Sequence, residues 1–164
     1  MHTIGVMFYD VVVWLHISGV VLAFGPTFAF GIYFAVGARK HPRGIPAILE
    51  SQIVISRSLV TLGGILVLIT GLYLTGDRFD FGDFFVAWGI LAIIILLGLT
   101  HGFFLKNDQQ ALRIAKRDID AAGPGEFQPS QEFMEKASRN AKVGPLAGLL
   151  IILTIYVMAA KPFL

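Results

Sequence analysis

The feature that most constrains this chain is a set of four long apolar segments separated by polar connections. A helix needs ~20 mostly apolar residues to cross the hydrocarbon core of a bilayer. The segments from about Tyr9 to Val36, Ile53 to Leu74, Phe84 to Leu105 and Val143 to Ala160 meet or nearly meet that length. Inside lipid no water is available to hydrogen-bond a bare backbone, so such segments must close their own hydrogen bonds as helices. The expected fold class is therefore all-α: a transmembrane four-helix bundle forming one domain over residues 1–164. Charged residues make up 15% of the chain, against roughly 25% in soluble proteins. An ordinary soluble enzyme and a disordered chain are thereby excluded. Cysteine is absent, which excludes thiolate-held iron–sulfur clusters, covalent c-type haem and cysteine zinc sites. The opening MHTIGVMFYD lacks a basic n-region, so the first apolar segment reads as a retained helix, not a cleaved signal.

The connections set the direction of the spans. Arg39, Lys40 and Arg43 follow the first, and Arg57 lies just inside the second. Lys106, Arg113, Lys116, Arg117, Lys136, Arg139 and Lys142 lie between the third and fourth. The turn between the second and third sets Arg78 against Asp77, Asp80 and Asp83. The positive-inside rule makes the two basic connections cytoplasmic and places both termini outside. Tyr9, Trp14, Tyr73, Trp88 and Tyr156 then share the outer half, as an interfacial aromatic belt does. In the cytoplasmic segment 106–142, Ala111, Leu112, Ala115 and Ile119 recur at helical spacing, and GPGEFQP breaks the pattern. Ser130 is placed to cap a second helix running into the last span. Seven basic and six acidic residues alternate there, which predicts a solvated helical hairpin with no affinity for nucleic acid.

No Walker loop, HExxH, GxSxG or Rossmann fingerprint occurs. The spans carry no paired carboxylates and so no acid–base dyad or proton relay. What remains inside them is His16, His101 and Arg57. An ionisable side chain within a span is a functional candidate by default, and imidazole is a common axial ligand of haem iron. The stripe of His16 continues through Gly19, Ala23 and Pro26 to Phe30. Such small residues leave room for a flat macrocycle, or equally for close approach of a neighbouring helix. His16 is as readily a neutral histidine bonded to the next helix as a ligand. His101, between glycines near the inner end of the third span, can reach water. Arg57 has a propionate, a lipid phosphate or Glu50 as partners, and snorkelling to the surface is the simpler account. His16 lies 7 residues past Tyr9 and His101 17 past Phe84, a difference in depth of about 15 Å on parallel spans. That geometry disfavours one iron bridged by both: a single haem would be held by one histidine, and two haems would sit at opposite leaflets. Copper finds only 4 Met and no cluster of soft ligands; the Met1 amine and the His2 ring offer at most a weak Cu(II) site.

The run Trp14-Leu15-His16-Ile17-Ser18-Gly19 followed by Phe24-Gly25, the pair His101-Gly102, and the ending Lys161-Pro162-Phe163 resemble a superfamily of small four-span bacterial membrane proteins. It includes the CopD copper-resistance proteins, the HemJ-type protoporphyrinogen oxidases and a branch of predicted integral membrane proteins, the last being the nearer likeness. The resemblance implies residence in the bacterial inner (plasma) membrane and a b-type haem held by His16, with His101 as a second candidate ligand. The segment between the third and fourth spans is longer and more charged than a HemJ-like hairpin, and Asn140 and Pro145 echo the HemJ pattern only loosely. Three readings follow. The first is a haem b redox protein working beside a quinone or porphyrin pool. The second is a cofactor-free accessory subunit of a larger membrane complex. The third is a CopD-like copper or small-solute permease, against which the missing intramembrane carboxylates count. The small-residue faces Gly63, Gly64, Gly71, Gly144 and Gly148 also predict a homo-oligomer or a partner subunit.

Overall fold

The computed structural model describes residues 2–125 and 127–163, with side chains described from residue 7, so the Met1 amine and the His2 ring of the weak Cu(II) site lie outside what is described. The chain is all-helical there, and four of its helices are long and apolar enough to cross a membrane. It is a multi-pass membrane protein built as an all-α four-helix bundle. Helix α1 covers His2–Lys40. A 3₁₀ turn, Pro42–Gly44, leads into α2, Ile45–Ile55, which continues through a π-helical turn, Ser56–Val60, into α3, Thr61–Arg78. Helix α4, Phe84–Leu99, continues through a second π-helical turn, Thr100–Phe104, into α5, Leu105–Ala122. Helix α6, Gln131–Ala160, completes the bundle. Large apolar side chains such as Ile32, Leu62, Ile94 and Leu146, one from each span, face outward. In water such a surface would be a liability, but in lipid it is solvated.

The spans pack as two close pairs. In the first, Gly63 of α3 lies against the backbone of α1, where an added Cβ would stand 2.6 Å from the Ala23 nitrogen and 2.9 Å from the Gly19 oxygen. In the second, the Met158 methyl of α6 fills the notch left by Gly89 of α4, and the Trp88 Nε1–H donates to Thr154 Oγ1 at 3.1 Å. Without a hydrophobic drive between helices in lipid, small-residue notches and interhelical hydrogen bonds carry the association. Leu97 seated against Gly64 joins the pairs.

At the basic end the helices run past the expected spans and build a core of their own. Ile45 and Leu49 of α2 pack with Ala111, Ile114 and Ala115 of α5, with Phe127, and with Phe133 of α6. The Phe34 ring stacks on Phe133 with 6.2 Å between centroids. The 106–142 segment is therefore a helical hairpin packed on α2, with most of its charges on the outer side and Asp108 buried. Ile45, Ile48 and Leu49, at helical spacing ahead of the second apolar run, are what cover it. Glu50 pairs with Lys116 at 2.6 Å, not with Arg57. Arg43 donates to the carbonyls of Gly123 and Gly125 and ties the hairpin tip to the first connection. Gly123 ends α5 at φ 62, a left-handed conformation that glycine adopts without steric cost.

Ser130 caps α6, its side chain accepting from the Phe133 N–H. Ser130→Ala is expected to cost about 1 kcal/mol, seen as a fall of about 2–4 °C in the thermal midpoint in detergent.

Candidate functional site

Two cavities lie one above the other along the bundle axis. The outer one, about 620 Å³, is lined by all four spans in the half nearest the end of α6. The inner one, about 850 Å³, occupies the half nearest the hairpin. Phe24, Leu96 and Ile151 line both and form the waist between them.

His16 is on the wall of the outer cavity. Its Nδ1 lies 2.9 Å from Thr70 Oγ1. The Thr70 hydroxyl has a single proton, and that proton bonds back to the Leu66 carbonyl at 2.6 Å. If that proton stays on the Leu66 carbonyl, Thr70 Oγ1 accepts from Nδ1–H, and in that tautomer Nε2 carries the lone pair. Gly71 holds the space: an added Cβ would stand 3.2 Å from the ring carbon Cε1. The other cavity polar groups are few, and two of them, Tyr9 and Lys161, stand at the outer rim. There Lys161 Nζ lies 4.4 Å from the Phe79 ring centroid, and the Arg78 guanidinium lies 3.7 Å from that of Tyr9. Cations laid on aromatic faces keep their charge while shedding part of their water. The result is an apolar chamber with one imidazole on its wall and Lys161 at its mouth; Arg78, over the Tyr9 ring beside it, is paired with Asp77 at 3.6 Å. Met158 also lines the chamber. Gly71, which touches His16, precedes the α3–α4 turn by 8 residues, and Gly89, which seats Met158, follows it by 6. At ~1.5 Å per residue both lie within a few ångströms of one depth.

His101 and Arg57 are elsewhere. Each lies on one of the two π-helical turns and is exposed, and neither lines a cavity. His101 Nε2 meets Thr61 Oγ1 at 3.2 Å, and the Thr61 hydroxyl donates to the Ser56 carbonyl. His16 and His101 thus touch α3 at Thr70 and Thr61, nine residues and about 14 Å of rise apart. No three of His, Cys, Asp and Glu converge among the described residues.

The inner cavity holds a group that the pattern reading passed over. Asp108 is buried at its hairpin end, where Asn140 Nδ2 donates to its Oδ1. Asn107 Nδ2 donates in turn to Asn140 Oδ1 at 2.9 Å and to the Lys136 carbonyl. No cation pairs with the Asp108 carboxylate among the described residues. Burial pushes Asp108 up to about 6, offset in part by the Asn140 bond. A signal for it exists in the sequence: Asp108 falls at helical spacing on the same stripe as Ala111, Ala115 and Ile119. A carboxylate on an apolar stripe is unusual and marks a site.

The shift has a consequence for stability. Between the usual carboxylate range and about 6, the folded chain holds a proton that the unfolded chain has lost. Stability therefore falls as pH rises through that window. Asp108→Asn is expected to raise the thermal midpoint at pH 8, by the equivalent of about 2–3 kcal/mol, and to leave it unchanged at pH 4. Comparison of the chain with protein-family models, with curated proteins and with solved structures finds no match.

Proposed function

We propose that this chain is a b-type haem protein of the bacterial plasma membrane that transfers electrons or serves a membrane-bound oxidation. The observation that carries the reading is the placement of His16 on the wall of an apolar chamber with Nδ1 2.9 Å from Thr70 Oγ1; in the tautomer that donates from Nδ1, Nε2 is the free ligand atom. A metal-binding imidazole ordinarily donates its other N–H to a fixed acceptor in this way. The donor set fits the group: His16 would hold the iron, Met158 lines the same chamber at a similar depth, and Lys161 at the rim would offer charge to a carboxylate substituent. When bound, haem supplies one-electron redox chemistry, at a potential set by its axial ligands and the polarity around it. The chain's own part would be to orient the imidazole through Thr70, surround the group with apolar side chains, and place the Lys161 ammonium at the rim. On the positive-inside rule that rim is external.

Likeness to the CopD and HemJ superfamily agrees with this reading through the Trp14–Gly19 run. A cofactor-free subunit role draws on Gly25, Gly98 and Gly102, whose added Cβ atoms would meet nothing in the monomer. The deciding experiment is a reduced-minus-oxidised absorbance spectrum of protein purified in mild detergent from a haem-replete host. Sharp α and Soret bands are expected; a spectrum with only the protein band removes the haem reading and leaves the subunit role.

A further inference from the structure

The inner cavity is not used by the haem reading, and it has the makings of a ligand site. Its walls are aromatic and aliphatic, with Phe28, Phe30, Phe34 and Phe104 among them. Phe28 and Ile32 of α1 and Leu149 and Ile152 of α6 line it while facing the lipid, so the cavity opens sideways into the bilayer between these helices. Its polar side chains include Gln52, Ser56, Thr100, Asn140 and Asp108, and the last two hydrogen-bond to each other. Of the charged residues only Asp108 and Lys136 line it, and the Lys136 ammonium is held by Gln110 Oε1 at 2.6 Å. Glu50, on the α2 face toward α5, is paired with Lys116. The α1 stretch Phe24–Ala35 brings no charge.

An occupant would therefore come from the membrane and be largely apolar. It would also end in a head that hydrogen-bonds to a carboxyl group. A permanent cation is a poor match for walls that are predominantly apolar, where the Asp108 carboxyl is already engaged by the Asn140 amide. A group that is acceptor in one state and donor in another fits better, since a carboxylic acid donates and a carboxylate accepts. We propose that the inner cavity binds the ring of a membrane quinone or quinol, with a ring oxygen hydrogen-bonded to Asp108. The carbonyl form pairs with the acid and the hydroxyl form with the carboxylate. This assigns a site that the haem reading does not need, and it holds whether or not haem is bound.

The test is equilibrium binding of radiolabelled decylubiquinone, oxidised or reduced, to the full chain in lipid nanodiscs. Saturable binding is expected for both forms. Affinity for the oxidised form should fall, and for the reduced form rise, by roughly tenfold as pH goes from about 5 to about 8. Asp108→Asn keeps the acceptor of the Asn140 bond and should bind with no pH dependence. An added Cβ on Gly148 makes only an ordinary 3.5 Å contact with the Phe28 ring, so Gly148→Leu should fold, fill the cavity and cut binding at least tenfold. No saturable binding of either form, or unchanged binding in Gly148→Leu, overturns the site. Persistent pH dependence in Asp108→Asn overturns the role of the carboxyl. The assay reads bound quinone, so failure here and absence of haem bands are separate results.

Discussion

Replacing His16 with alanine is expected to erase the reduced-minus-oxidised haem bands of the purified protein while leaving it folded. The side chain contributes one hydrogen bond, to Thr70, and a ring contact at Gly71. Losing that hydrogen bond costs the apoprotein about 1 kcal/mol, which is small beside a bundle held by two close helix pairs. The iron, in contrast, would lose its one imidazole, because the other span histidine touches α3 about 14 Å away at Thr61. His101→Ala and Arg57→Ala should accordingly leave the bands intact. Thr70→Val is the sharper control. It keeps the volume but removes the oxygen that faces Nδ1, and a lost outer-shell partner of this kind costs roughly 10–100-fold in affinity. Spectra of the four variants, each normalised to protein and checked for helical content, read the outcome. Bands that survive in His16→Ala and vanish in His101→Ala would move the site to the π-helical turn and refute the chamber.

The four spans could be read from the chain because lipid leaves an apolar segment no alternative to the helix. The Ser130 cap could be read because its partner is local, three residues away. The depth difference of the two histidines was legible for the same reason, being a count of residues along rigid rods. What periodicity could not show was lateral neighbourhood. Which wall His16 faces depends on α1 lying against α3 at Gly63, and that pairing joins residues more than forty positions apart. The Asp108 site was hidden differently. Its stripe was visible as Ala111, Ala115 and Ile119, but the partner Asn140 comes from α6. An apolar pattern also draws the eye past the one residue that violates it. At the basic end the helices run beyond the apolar spans, where charge begins and a continuous apolar run no longer marks them. Ile45 and Leu49 are buried there by packing on α5.

Gly63→Leu is expected to give the largest loss of stability of any single substitution in the spans. In a helix, leucine has the better intrinsic propensity by nearly ~1 kcal/mol, so on local grounds the change should help. The neighbour decides otherwise. The first added carbon would lie 2.6 Å from the Ala23 nitrogen and 2.9 Å from the Gly19 oxygen, and backbone cannot rotate aside as a side chain can. Helices α1 and α3 must separate along their length, and Ala23, which is fully buried in that contact, becomes exposed. Overpacking of this kind costs about 1–3 kcal/mol or more, equivalent to a drop of roughly 5–10 °C in the thermal midpoint. The comparison that isolates the cause is Gly76→Leu, in the same helix, where an added Cβ meets nothing; that variant should match or exceed the parent. Separation at Gly63 also pulls Thr70, two turns further along α3, away from His16. Gly63→Leu should therefore weaken haem retention without altering any residue of the chamber. Equal melting of the Gly63 and Gly76 variants in detergent would mean that the α1–α3 contact is not what holds the bundle together.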